Sequence, residues 1–151
     1  MPPEPRDVAT SARMKKQGQR DTRAELLIRR RLHALGFRFH VDRKPEPSMR
    51  TRGDLIFTRQ RVVVFVDGCF WHACPLHRSV PRTNSAWWKE KLAANVMRDE
   101  RATQQLQACG WTVVRIWEHE NTEAAVDQII EAVGSAHLRK SRASNGGDIR
   151  R

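Results

Sequence analysis

The chain has 151 residues, with 28 Lys and Arg against 17 Asp and Glu, a formal net charge of +11. That length suits one domain able to bury about two thirds of its unfolded surface, and the charge points to a polyanionic partner, nucleic acid first. No apolar run approaches the ~18 residues of a membrane span, and three cysteines behind a polar first twenty residues exclude a closed disulfide framework and suggest a reducing cytoplasm, where clustered thiols favour metal.

Residues 1–20 combine three prolines with Arg6, Arg13, Lys15, Lys16 and Arg20, the composition of a flexible basic arm. Met14 is its one large apolar side chain beyond the first residue. Thr22-Arg23-Ala24-Glu25 has the form of a capping box, and it opens a helix predicted to run to about Leu35. Leu27, Ile28, Leu32 and Leu35 are expected on its inner face, with Gly36 as the stop.

Phe37 to Val41 alternates as a half-buried strand, and 45–48 breaks it. Gly53 to Phe57 is a second strand, turning through 58–60 into a third, Arg61 to Val66, close enough in sequence for an antiparallel hairpin. That hairpin would bring Asp54 and Asp67 to the same end of two neighbouring strands. Ser85 is expected to cap a long helix through about Ala108, carrying Trp88, Leu92, Asn95, Val96 and Asp99 on adjoining positions. Trp111 to Trp117 reads as a fourth strand and Glu123 to Val133 as a last amphipathic helix. From about Leu138 the Arg, Ser and Gly content predicts a disordered basic tail. The order of elements implies a single α/β domain over 21–137, a mixed sheet flanked by helices.

Chemistry concentrates behind the third strand. Cys69-x4-Cys74-x2-His77 supplies three zinc-type ligands within nine residues, and a closed tetrahedral site needs a fourth. His119, just past the fourth strand, is the natural candidate, and His72 is its rival. Cys109 stands apart and reads as a small buried apolar residue near a helix end. Asp54 and Asp67 together could hold Mg²⁺, although Asp is also an ordinary turn residue. His72 lies five residues beyond Asp67, where an imidazole could take a proton from an attacking water. Glu25 fits its capping box and could also face the site; Asp99 is a candidate for orienting His72. Phe70 and Trp71 are neighbours and cannot share one core face, so one of them is free to stack on or wedge between bases. Trp87 and Trp88 pose the same choice between core packing and base contact.

Asp21-Thr22 with Glu25, Gly53 to Phe57, Val66-Asp67-Gly68-Cys69-Phe70-Trp71-His72, Asn95-Val96 with Arg98-Asp99, and Gly110 to Val114 through Trp117-Glu118 together resemble the very-short-patch repair (Vsr) DNA mismatch endonucleases. The resemblance runs in order over roughly residues 11–135. It implies a restriction-endonuclease-like fold and a zinc-stabilised, Mg²⁺-dependent enzyme that nicks one strand 5′ to the thymine of a T:G mismatch, the lesion left by deaminated 5-methylcytosine. It further implies Asp54 and the Val66 carbonyl as Mg²⁺ ligands, His72 as the catalytic imidazole, and Glu25 and Asp99 as supporting acids. Phe70, Trp71 and Trp88 would form an aromatic wedge, with Met14 inserted from the minor-groove side.

Three departures accompany the resemblance. Asp67 stands where the family has histidine, which makes it a candidate second metal carboxylate. Gly53 replaces a proline, and the zinc set would be Cys69, Cys74, His77 and His119. The expected partner is mismatched double-stranded DNA bound by a cytoplasmic monomer, with mismatch-repair proteins as further partners. Two alternatives stand beside this reading: a nickase of broader specificity in restriction or defence, and a non-catalytic zinc-stabilised DNA-binding module.

Overall fold

The computed structural model describes residues 22–68 and 82–145. Helix α1 covers Arg23–Ala34, and the Thr22 hydroxyl accepts the Glu25 amide at 3.3 Å, as an N-cap does. Its end is a Schellman turn: Gly36 takes φ +92, while the Phe37 amide donates to Leu32 O and the Gly36 amide to His33 O, both at 3.0 Å. Phe37 is thereby committed to stopping the helix. The first strand consequently forms later than the alternation predicts, as β1, His40–Arg43.

Strands β2, Gly53–Phe57, and β3, Val62–Asp67, form the expected antiparallel hairpin, with Leu55 opposite Val64 and Phe57 opposite Val62. Arg61 belongs to the turn rather than to the strand. Its left-handed φ of +54 is supported by bonds from its guanidinium to Cys109 O at 2.6 Å and Glu46 Oε1 at 3.1 Å.

Helix α2 spans Ser85–Ala108, as predicted, but its N-cap is Asn84, in a left-handed conformation with no side-chain capping bond. Ser85 is therefore the first helical residue and not the cap; Asn tolerates that conformation at low cost. A second Schellman turn closes α2, with Gly110 at φ +89 and the Trp111 amide bonded to Leu106 O at 3.0 Å. Strand β4 is Thr112–Trp117. Helix α3 covers Thr122–Asn145 and is started by the Asn121 carboxamide, which accepts the Glu123 and Ala124 amides at 2.9 and 3.2 Å. It continues past Leu138, where the disordered tail is expected to begin.

The sheet order is β1-β2-β3-β4, antiparallel except for the parallel β3–β4 pair, whose crossover is made by α2. Alternate residues of each strand serve opposite faces. On one face Leu55, Phe57, Val62, Val64 and Ile116 pack with Ile28 and Leu32 of α1 and Ala125, Val126, Ile129 and Val133 of α3. On the other, Ile56, Val63 and Phe65 pack with Leu106 and Trp111. The result is a helix–sheet–helix sandwich around a mixed sheet. The inner face of α1 is narrower than expected: Glu25, Ile28 and Leu32 are buried, whereas Leu27 and Leu35 are 38% and 43% exposed. No helix among the described residues is long and apolar enough to cross a membrane.

Candidate active site

The hairpin register places Asp54, near the start of β2, and Asp67, at the end of β3, at one end of the sheet. Asp54 is drawn over the neighbouring strand, where its Oδ2 accepts the Val66 amide at 2.7 Å. A side chain thus takes a bond of the kind that a strand carbonyl makes within the ladder. Gly53 beside it lies under neighbouring side chains: a Cβ there would come within 2.4 Å of Val63 Cγ2 and 2.6 Å of Ile56 Cδ1. Gly53 is the buried first residue of β2, and its missing side chain leaves that space to Val63 and Ile56.

Glu25 and Asp67 are the buried charged residues of the described chain, 3% and 6% exposed. The Asp54 carboxyl is pushed up from 3.8 to about 7, chiefly by burial. The Val66 amide works in the opposite direction, and the negative charges of Glu25, Asp67 and Asp42 add to the rise. Such a group is half ionised near neutrality and gains from any cation brought beside it.

Two of these acids carry an arginine. Arg29, one turn along α1, lies 3.7 Å from Glu25. Arg115 donates through Nη1 to both oxygens of Asp67, at 3.0 and 3.2 Å, through Nη2 to Asp99 O at 3.2 Å, and through Nε to Thr103 Oγ1 at 2.9 Å. Its guanidinium also lies 4.3 Å from the Phe65 ring centroid, a cation–π distance. Arg115 is absent from the sequence-derived site. Its signal was a single charge within the apolar strand Thr112-Val113-Val114-Arg115-Ile116-Trp117.

Helix α2 brings the remaining acid. Trp88, Leu92, Asn95, Asp99, Ala102 and Leu106 recur at alternating spacings of four and three, which puts them on one stripe. Trp88, Leu92, Ala102 and Leu106 are buried, while Asn95 and Asp99 between them are only half-buried. The gap opens as a cleft of about 600 Å³ lined by Asp67, Asp99, Thr103, Arg115 and Trp117 among others.

Trp88 is 9% exposed and meets Trp87 edge to face, with centroids 4.8 Å apart. In the free chain it therefore packs in the interior and does not stand out as a wedge. His119 follows β4 at the sheet end where β3 finishes, because Asp67 pairs with Trp117. Its ring stacks on Trp117 at 6.4 Å. Met14, Cys69, Phe70, Trp71, His72, Cys74 and His77 lie outside the described residues. Cys109 is exposed, not buried as expected. Among the described residues, no three His, Cys, Asp or Glu side chains are grouped to hold a metal ion.

Comparison with known proteins agrees with the resemblance. Residues 6–78 match the family model of the DNA mismatch endonuclease Vsr. The chain is 37% identical over 133 residues to the type II nicking enzyme V.NaeI of Lentzea aerocolonigenes, covering 87% of this chain and 80% of that one. It is 38% identical over 115 residues to the DNA mismatch endonuclease Vsr of Escherichia coli, covering 74% and 71%. With the type II nicking enzyme V.XorIIP of Xanthomonas oryzae it shares 37% over 109 residues, covering 71% and 77%. The acidic strand end therefore sits in a chain that belongs to the DNA mismatch endonuclease Vsr family, and the protein is a DNA endonuclease.

Proposed function

We infer that this endonuclease is Mg²⁺-dependent and nicks one strand of duplex DNA 5′ to the thymine of a T:G mismatch. The observation that carries the reading is Asp54, half-buried beside further carboxylates and bonded to the amide of Val66. The donor set fits a small divalent cation. Mg²⁺ keeps several waters and uses one or two carboxylates, which suits Asp54 with the Val66 carbonyl in a site that has no group of three described acidic or imidazole ligands. When bound there, the ion supplies charge stabilisation to the scissile phosphate and the leaving oxygen.

The chain's own groups do the rest. His72 accepts the proton of the attacking water, and Asp99 and Glu25 support the site from α2 and α1. Phe70 and Trp71, with Met14 of the basic arm, hold the opened base step, and Trp88 joins them only if DNA draws it from the core. Cys69, Cys74, His77 and His119 hold a structural zinc that ties the segment after β3 to the end of β4. The net charge of +11 holds the polyanion. The restriction-endonuclease-like fold, the monomeric state and any mismatch-repair partner belong to the same proposal.

The Escherichia coli relative is named for mismatch cleavage and the other two relatives for nicking, which supports strand nicking and leaves a nickase of broader specificity as the rival. Labelled duplexes with every mismatch and with matched pairs, across varied flanks, separate the two. The T:G reading predicts nicking at the thymine at least about tenfold faster than at matched sites, and loss of about a thousandfold or more with Asp54→Ala. Equal cleavage of T:G and matched duplexes would establish the broader nickase.

A further inference from the structure

We propose that Arg115 is a positioning residue that withdraws Asp67 from metal binding, leaves Asp54 as the site's metal carboxylate, and fastens the Asp99 turn of α2 against the sheet end. The proposal rests on the reading of Asp54 as a metal ligand and deepens it.

Geometry supports the assignment from both sides. Asp67 is 6% exposed, and its two oxygens share one guanidinium nitrogen at 3.0 and 3.2 Å. An aspartate held this way can ligate a cation only by placing that cation beside a fixed positive charge, or by giving up its bond. Asp54 differs: its carboxylate is held by the neutral Val66 amide, and among the described residues no cation pairs with it. Glu25 has Arg29 at 3.7 Å. Of the three acids at this end of the sheet, two are answered by arginines of the chain, and Asp54 is left for an external cation.

The same guanidinium carries the second part of the role. Arg115 is opposite Phe65 in the parallel β3–β4 pair, two residues before the position opposite Asp67, so its side chain runs along the sheet face toward Asp67. There it also reaches Asp99 O at 3.2 Å and Thr103 Oγ1 at 2.9 Å, successive turns of α2. Planar guanidinium donors have fixed directions, so Asp67, Asp99 and Thr103 are set relative to one another by one rigid group. Stacking against Phe65 at 4.3 Å fixes that plane. The helix stripe has no apolar anchor at Asn95 and Asp99, and Arg115 holds the helix there instead.

The test is Mn²⁺ binding to the DNA-free, full-length protein, followed by electron paramagnetic resonance in Asp67→Asn, Arg115→Met, the double variant and Asp54→Ala. Asp67→Asn leaves the Arg115 guanidinium uncompensated and, by charge alone, should weaken Mn²⁺ binding about tenfold. Arg115→Met frees a carboxylate beside the site and should tighten binding about tenfold or more, because a unit charge at such distances acts strongly on a divalent ion. Removing both partners should return the affinity to within about threefold of wild type, a rescue that a purely structural role would not produce. Weakening by about tenfold or more in the double variant, whose net charge beside the site equals that of wild type, would make Asp67 a ligand and overturn the proposal, as would an Arg115→Met affinity equal to wild type. Undiminished Mn²⁺ binding in Asp54→Ala would instead refute the Asp54 reading itself. If Arg115→Met fails to fold, Arg115→Gln, which removes the charge and keeps a donor toward α2, takes its place in the single and double variants.

Discussion

The two faces of the sheet solve different problems. On the α1 and α3 side, apolar side chains meet without interruption, from Ile28 and Leu32 through Leu55, Val64 and Ile116 to Ala125, Ile129 and Val133. On the α2 side, the apolar cluster of Ile56, Val63, Phe65, Leu106 and Trp111 covers one end of the sheet and then gives way. Past Phe65 the layer is held by Arg115, Asp67, the Asp99 carbonyl and Thr103. Charge burial is unfavourable unless paired, so a fold selected for stability alone would continue the stripe with leucines. The broken stripe instead keeps an acidic, partly open strand end where a cation and a phosphodiester can be received.

If that contrast is right, the continuous face should be the more sensitive to truncation. Ile129→Ala, at a fully buried position, should cost about 3–5 kcal/mol in chemical denaturation. Leu106→Ala, equally buried but in the smaller cluster, should cost about 2–3 kcal/mol. A reversed order would put the mechanical core on the α2 side. A smaller effect tests the apolar end of α2. Gly110 sits at φ +89, and an added Cβ would approach Arg61 Nε no closer than 3.8 Å. Gly110→Ala should therefore cost only the conformational penalty, about 1 kcal/mol, and leave nicking intact; a loss of nicking would mean that this end also serves the site.

The regular elements were legible in the sequence because local patterning determined them. The hairpin, the fourth strand and the C-terminal end of α2 follow from apolar runs, turn residues and glycines. Boundaries failed where a hydrogen bond overrode the pattern: Phe37 alternates like a strand residue, yet its amide closes α1 on Leu32. Leu27 and Leu35 look like core residues, but the inner stripe is set by Glu25, Ile28 and Leu32. In the site, Asp54 and Asp67 could be brought together from hairpin register alone. Arg115 could not, because its partners lie 12 to 48 residues away and no local rule joins a strand arginine to a helix carbonyl. Likewise the burial of Trp88 depends on which face α2 turns to the sheet.

The central claim is that Asp54 serves function at the expense of the metal-free fold, and Asp54→Asn in Mg²⁺-free buffer tests it directly. The folded carboxyl titrates near 7 against 3.8 for the ordinary group, so between about pH 4 and 7 the folded state keeps a proton that the unfolded state has released. Its contribution to stability is therefore greatest below about pH 4, falls as pH rises to 7, and is flat beyond. Asparagine can still accept the Val66 amide and carries no charge. Melting curves of the two proteins should converge near pH 4 and separate with rising pH. At pH 8 the variant should be the more stable by about 1–3 kcal/mol, while its Mg²⁺-dependent nicking of a T:G duplex is lost. A variant less stable than wild type at pH 8, or one that still nicks at a tenth or more of the wild-type rate, would contradict the account.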